Sequence, residues 1–310
     1  MGDYVEMPRG TNEKRAKREK RKIADYAITI FLLAFLMILV GQTAGSLIYL
    51  IPFMRTTDIG LTLGIYLIFI GIWAVAVPYL YFTRKNRPIL QVLGKKPAGN
   101  RLKYLLLGTL AGFLLNGACV LVAWLHGNIV LIYDSFQPGY LLLLYTAVFI
   151  QSAAEEFLCR GFIYQRLLKS YGKPCVAIIG NSLLFGVFHL TNDGVTVLSM
   201  LNIVLVGIML TFIVRYMDSL WCAMALHAAW NFTQNIIFGL PNSGIVALYS
   251  LFRLEASTAR NSLVYNVGFG VESALPATIL VAVACVAIYF CFGNGREAGR
   301  TYQVWENPDS

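Results

Sequence analysis

Eight apolar stretches dominate this chain of 310 residues, at 26–51, 59–82, 102–125, 140–168, 174–190, 195–214, 219–240 and 274–292. A helix crosses the hydrocarbon core of a bilayer with roughly 20 apolar residues, which most of these runs supply. The fifth is short and meets the fourth at Tyr171-Gly172-Lys173-Pro174, where Pro174 suits the first turn of a new helix because its missing N–H costs nothing there. Of all residues 57% are hydrophobic and 13% charged, whereas soluble chains carry about 25% charge. A water-soluble globule of this size could not bury that apolar surface. The composition excludes a soluble enzyme, a disordered chain and a nucleic-acid-binding module. It predicts an all-α, polytopic integral membrane protein with about eight transmembrane helices.

The net charge of +9 belongs to topology. Eight basic residues fall in the first 22 positions, mostly in the run Lys14, Arg15, Lys17, Arg18, Lys20, Arg21 and Lys22. No aromatic residue interleaves with that run for base stacking, so it reads as a membrane-anchoring tail. Alternating the spans places 21 of the 25 basic residues on the tail's side and only Arg55, Arg253 and Arg260 opposite, with Arg160 inside the fourth span. The positive-inside rule then predicts both termini in the cytoplasm. The expected organisation is a basic tail over 1–25, one transmembrane domain over 26–292 and a cytoplasmic C-terminal tail over 293–310. The apolar run from Ala27 to Phe53 exceeds the ~7–15 residues of a cleaved signal, so the first span is expected to be retained. Six cysteines form no CxxC pair and read as small hydrophobes. The loop 241–273 is long enough to be functional or to cover a cavity.

Ionisable groups inside a bilayer cost about 2.5–3.5 kcal/mol each, and here they gather in three spans. The fourth contains Glu155, Glu156 and Arg160, the fifth ends in Phe185 and His189, and the seventh contains His227 and Asn231. Glu156 and Arg160 are i,i+4 and can pair, while Glu155 is rotated about 100° and faces another neighbour. Phe185 precedes His189 by one turn, and His227 stands one turn from Asn231. At about 1.5 Å per residue, Glu155 lies roughly 20 Å from Leu168 and His189 roughly 22 Å from Pro174, while His227 and Asn231 lie roughly 12 and 18 Å from Ser219. Helices of alternating direction thus bring all four side chains into one band about 10 Å deep. Each residue has a plainer reading: a structural ion pair for Glu156 and Arg160, a helix-end cap for His189, interhelical glue for Asn231. Together they point to a shared polar cavity.

These groups suit amide hydrolysis. A carboxylate such as Glu155, aided by His189, can take a proton from a water that attacks a peptide carbonyl. His227 and the Asn231 amide can donate to the resulting oxyanion. Neither Ser nor Cys stands where a nucleophile is needed; Cys159 lies in the right stretch without a base at motif spacing.

The three segments Glu155-Glu156-x-x-x-Arg160, Phe185-x-x-x-His189 and His227-x-x-x-Asn231 resemble the CPBP family of intramembrane proteases. That family includes the Rce1-type CAAX prenyl endopeptidases and many bacterial Abi-type proteins. The resemblance covers about 140–240. It implies an eight-helix, metal-independent glutamate protease with no cofactor. In it Glu155 and His189 activate water, His227 and Asn231 hold the oxyanion, and Glu156 and Arg160 organise the site, with Phe185 beside the imidazole.

The expected substrate is a membrane-embedded or membrane-associated peptide or protein, with the lipid bilayer as the other partner and no nucleic acid. Short loops and the basic tail fit a bacterial plasma membrane, where bacteriocin processing is one role within the family. Two other readings compete: a zinc protease using Glu155, His189 and His227, although no HExxH helix is present, and a non-enzymatic immunity scaffold or proton-coupled transporter.

Overall fold

The computed structural model describes residues 23–293 together with Val304. The basic run of the N-terminal tail and nearly all of the expected C-terminal tail lie outside the described residues. Among the described residues, eight helices of more than ten residues follow one another: α1 (Ala27–Leu50), α2 (Asp58–Phe82), α3 (Leu102–Leu125), α4 (Pro138–Tyr171), α5 (Pro174–Val187), α6 (Val197–Tyr216), α7 (Leu220–Phe232) and α8 (Leu275–Gly293). Six of them, all but α5 and α7, are long and apolar enough to cross a membrane. The chain is thus an all-α, multi-pass membrane protein. Each of the eight expected runs contains a helix.

Local chemistry sets the helix starts. Thr57 accepts from the Gly60 N–H ahead of α2, Thr196 and Ser199 form a reciprocal capping box on α6, and Ser219 accepts from the Cys222 N–H on α7. Pro138, Pro174 and Pro276 sit in the first turns of α4, α5 and α8. Gly172, at φ 63°, ends α4 in the left-handed conformation that glycine adopts without strain.

Two differences from the expected spans matter for the site. α5 stops at Val187 after 14 residues, and His189 sits in the turn that follows rather than on the helix. There its Nδ1 bonds the Phe185 carbonyl at 2.8 Å and closes the exposed helix end. α7 continues into a π-helical segment, Thr233–Ile237. Almost every residue of α7 is buried by protein, so it forms the centre of the bundle instead of facing lipid. α4 also passes through a π-helical segment, Phe157–Ile163, immediately after Glu156.

Close backbone approach locks α7 against α3. A Cβ on Gly108 would strike the Cys222 carbonyl and one on Gly112 the Leu226 carbonyl. This four-residue spacing of glycines is the small-residue contact expected between membrane helices, where dispersion replaces the hydrophobic effect. Gly41 and Gly71 bring α1 against α2 in the same way.

The two ends of the bundle differ. At one, Asp25 pairs with Lys85 (2.6 Å) and Arg166 (2.8 Å), tying the start of α1 to α4. Val304 is buried at 0% exposure in the cluster that includes Ile89, Leu167 and Leu220. At the other end, β1 (Leu131–Tyr133) pairs antiparallel with β2 (Phe252–Leu254), fastening the long 241–273 loop to the connection between α3 and α4.

Candidate active site

The cavity that the expected residues share is about 420 Å³ in volume. α1 and α2 supply a mostly apolar side, including Phe35, Leu39 and Phe69. α4, the turn after α5, and α7 supply Glu155, His189, His227 and Asn231. All four candidate catalytic side chains line this one space.

The two adjacent glutamates have separate environments, as helical geometry requires. Glu156 and Arg160 are both 0% exposed and pair at 2.8 Å. The second terminal nitrogen, Nη2, donates to the Gly207 carbonyl of α6 at 3.0 Å. The guanidinium carbon lies 4.6 Å from the Phe185 ring centroid, a cation–π contact. Glu155 instead faces the cavity with its side chain 20% exposed.

His227 joins the two carboxylates. Its Nδ1 is 2.9 Å from Glu156 Oε1, the same oxygen that accepts from Arg160, and its Nε2 is 3.7 Å from Glu155 Oε2. The sequence pairs Glu155 with His189, yet the imidazole found at ion-pair distance from it is that of His227. Phe185 packs against both histidines, 4.8 Å from the His189 ring and 6.1 Å from that of His227, centroid to centroid. Because His189 Nδ1 faces a carbonyl, which can only accept, that nitrogen carries the proton and Nε2 is left as an acceptor.

The sequence did not single out the partners of Asn231. Its amide nitrogen lies 3.3 Å from both Gln151 Oε1 and Ser152 Oγ on α4. Gln151 stands one turn before Glu155 on the cavity face, and that i,i+4 polar pair was the available signal. A third carboxylate, Glu272, is 5% exposed and belongs to the end of the long loop. It accepts from Ser243 Oγ (2.7 Å), the Ser243 backbone N–H and Trp230 Nε1 (3.3 Å). The loop's Asn242, Ser243 and Ile245 line the main cavity, so this segment covers the site. Among the described residues, no group of three or more His, Cys, Asp or Glu side chains could hold a metal ion.

Residues 137–233 match the Rce1-like family, described as type II CAAX prenyl endopeptidase Rce1-like. No curated protein matches the chain, and no solved structure does. The matched segment begins at the start of α4 and ends just past α7, and so spans all three polar segments of the cavity. The part of this multi-pass membrane protein that carries Glu155, His189, His227 and Asn231 is the part that is similar to type II CAAX prenyl endopeptidases of the Rce1-like family.

Proposed function

We propose that the chain is an intramembrane endopeptidase that hydrolyses a peptide bond with a water activated by Glu155. The observation that carries this reading is the division of labour between adjacent carboxylates. Glu156 is neutralised by Arg160 at 2.8 Å, and Glu155 is left facing the cavity 3.7 Å from His227 Nε2. Water held between Glu155 and the His189 Nε2 acceptor gives its proton to Glu155 as its oxygen attacks the carbonyl carbon. The C=O π bond opens to an oxyanion, and His227 and the Asn231 amide donate to it. The carbon–nitrogen bond then breaks as Glu155 returns the proton to the departing amine. His227 has a carboxylate acceptor at each ring nitrogen, which suits it to present a proton at Nε2.

The substrate fitting a cavity of about 420 Å³ with apolar residues on α1 and α2 is a peptide segment presented in or at the bilayer. The charge distribution supports a plasma-membrane location with both termini in the cytoplasm, in a bacterial cell, and bacteriocin-type peptide processing fits that setting. Comparing membrane peptides from cells carrying the wild type and Glu155→Gln tests the reading. A peptide cut only by the wild type supports it, whereas identical peptide sets with a retained biological effect assign a scaffold or transporter. Loss of cleavage on chelation, restored by zinc, would replace the glutamate mechanism with a metal one.

A further inference from the structure

The family match ends at residue 233, yet one wall of the cavity comes from beyond it. Asn242, Ser243 and Ile245 line the same space as His189 and Asn231. The segment is a tight turn in which Asn242 and Ile245 exchange both backbone hydrogen bonds at 2.9 Å. Ser243 and Gly244, at φ 46° and 85°, are its two central residues and take the left-handed conformation that such a two-residue turn requires. Its carbonyl accepts from Asn192 at 2.8 Å.

Glu272 anchors that turn from outside. One carboxylate oxygen takes both the Ser243 backbone N–H and its Oγ–H, the latter at 2.7 Å. The other takes Trp230 Nε1 at 3.3 Å and Asn242 Nδ2 at 3.4 Å. Trp230 is the residue before Asn231 on α7, so the carboxylate ties the loop to the helix that bears His227 and Asn231. Glu272 also borders a second space of about 30 Å³, lined in part by His189, His227, Asn231 and Ser243. Four donors thus meet on one buried carboxyl group, the two from Ser243 closer than those from Trp230 and Asn242, and they tie the loop to α7 at several points at once.

We propose that Glu272 is a positioning residue for this cleavage, a buried latch that fixes Asn242–Ile245 as the substrate-binding wall beside His189 and Asn231. The inference rests on the endopeptidase reading for its consequence, while the latch itself is a property of the folded chain.

Glu272→Gln in the full-length protein tests it, because glutamine keeps the size but turns one acceptor into a donor facing other donors. Amide hydrogen exchange should rise at least about tenfold at Ser243 and Gly244 while α4 keeps its wild-type protection. With a cleaved peptide, KM should rise about fivefold or more and kcat should stay within about threefold, the pattern of a lost binding wall. Ser243→Ala, which deletes one donor and leaves the carboxylate, should give the same pattern at smaller size and stands in should Glu272→Gln not fold. Unchanged exchange at 242–245, exchange raised equally in α4, or a fall in kcat at constant KM would each overturn the proposal. A wild type that cleaves no peptide defeats the endopeptidase reading, and the exchange measurement then decides the latch alone.

Discussion

His227 reaches Glu156 through Nδ1 at 2.9 Å, and Glu156 is at the same time the partner of Arg160. One carboxylate oxygen therefore fixes both the guanidinium and the imidazole, and fixing Nδ1 aims Nε2 at Glu155. The orientation of the ring follows from a residue on another helix that faces away from the cavity. The site is a network in which the cavity-facing groups take their positions from fully buried ones.

The first prediction concerns the cavity-facing groups. Glu155→Gln removes the base and should lower kcat/KM by about 10²–10⁴-fold, the usual range for general-base catalysis. Asn231→Ala should lower kcat by about 10²–10³-fold if its amide serves the oxyanion. Both should leave helical content by circular dichroism at the wild-type value, since neither belongs to the buried Glu156–Arg160 pair. A Glu155→Gln protein that cleaves at the wild-type rate would refute the mechanism.

The buried pair predicts an asymmetry in stability. Arg160→Met leaves Glu156, at 0% exposure, with the His227 imidazole in place of a fixed positive charge, and breaking one side of such a pair costs about 3–5 kcal/mol. Adding Glu156→Gln to Arg160→Met removes the stranded charge and should recover much of that loss. Thermal unfolding in detergent of the two single variants and the double reads this out as a double-mutant cycle. Equal destabilisation by the single and double variants would show that the guanidinium acts through its contacts with Gly207 and Phe185 rather than through charge.

The i,i+4 logic of the sequence carried the central features because it depends only on local geometry. Glu156 meets Arg160, Phe185 meets His189, and each of the three polar segments contributes side chains to one cavity. Other features have no periodic signature. Glu272 reaches Ser243 across 29 residues of the long loop, and Asn235 holds the carbonyls of Leu240 and Ile245. Such contacts are set by the tertiary path of the chain, and no pattern in 241–273 announces them. The central burial of α7 was hidden for another reason. Apolar residues facing protein and apolar residues facing lipid read alike in a hydropathy window, and only the glycines of α3 hinted at a close neighbour.

Acid should release the fastening of α1 to α4. Burial pulls the Asp25 carboxyl upward, but the hydrogen bond from Lys85 and the charges of Arg166, Lys85 and Lys169 outweigh it and leave the group below its ordinary value of 3.8. A lowered folded-state value means that the stabilisation is present in full above the unfolded value and is lost as pH falls through the folded one. Asp25→Asn should therefore lower the melting temperature at pH 7, by an amount matching about 1–2 kcal/mol for a partly buried charge-assisted pair. The difference from wild type should hold between pH 7 and 5 and shrink below about pH 4, the unfolded carboxylate range. A difference that is constant down to pH 3 would mean the variant acts through packing and not through the charge.

The glycine contact between α3 and α7 predicts that the site can be disturbed from a helix that carries none of its reactive groups. At Gly112 an added Cβ would meet the Leu226 carbonyl, lie 2.7 Å from the Ala229 Cβ and stand 3.0 Å from the Trp230 nitrogen. These are backbone and short side-chain atoms that cannot rotate aside, so the helices must part. Leu226 and Trp230 flank His227 and Asn231 in sequence, and a shift of α7 moves both relative to Glu155 on α4. Gly112→Ala should cost about 1–3 kcal/mol, the range for overpacking a close contact, and should lower kcat beyond what the loss of folded protein explains. Gly117→Ala on the same helix is the control, because nothing lies within 4 Å of its added Cβ. That variant should be neutral or slightly more stable, since alanine favours a helix by about 1 kcal/mol over glycine. Equal behaviour of the two alanine variants, in melting temperature and in kcat, would show that α7 is positioned by something other than its glycine-lined contact with α3.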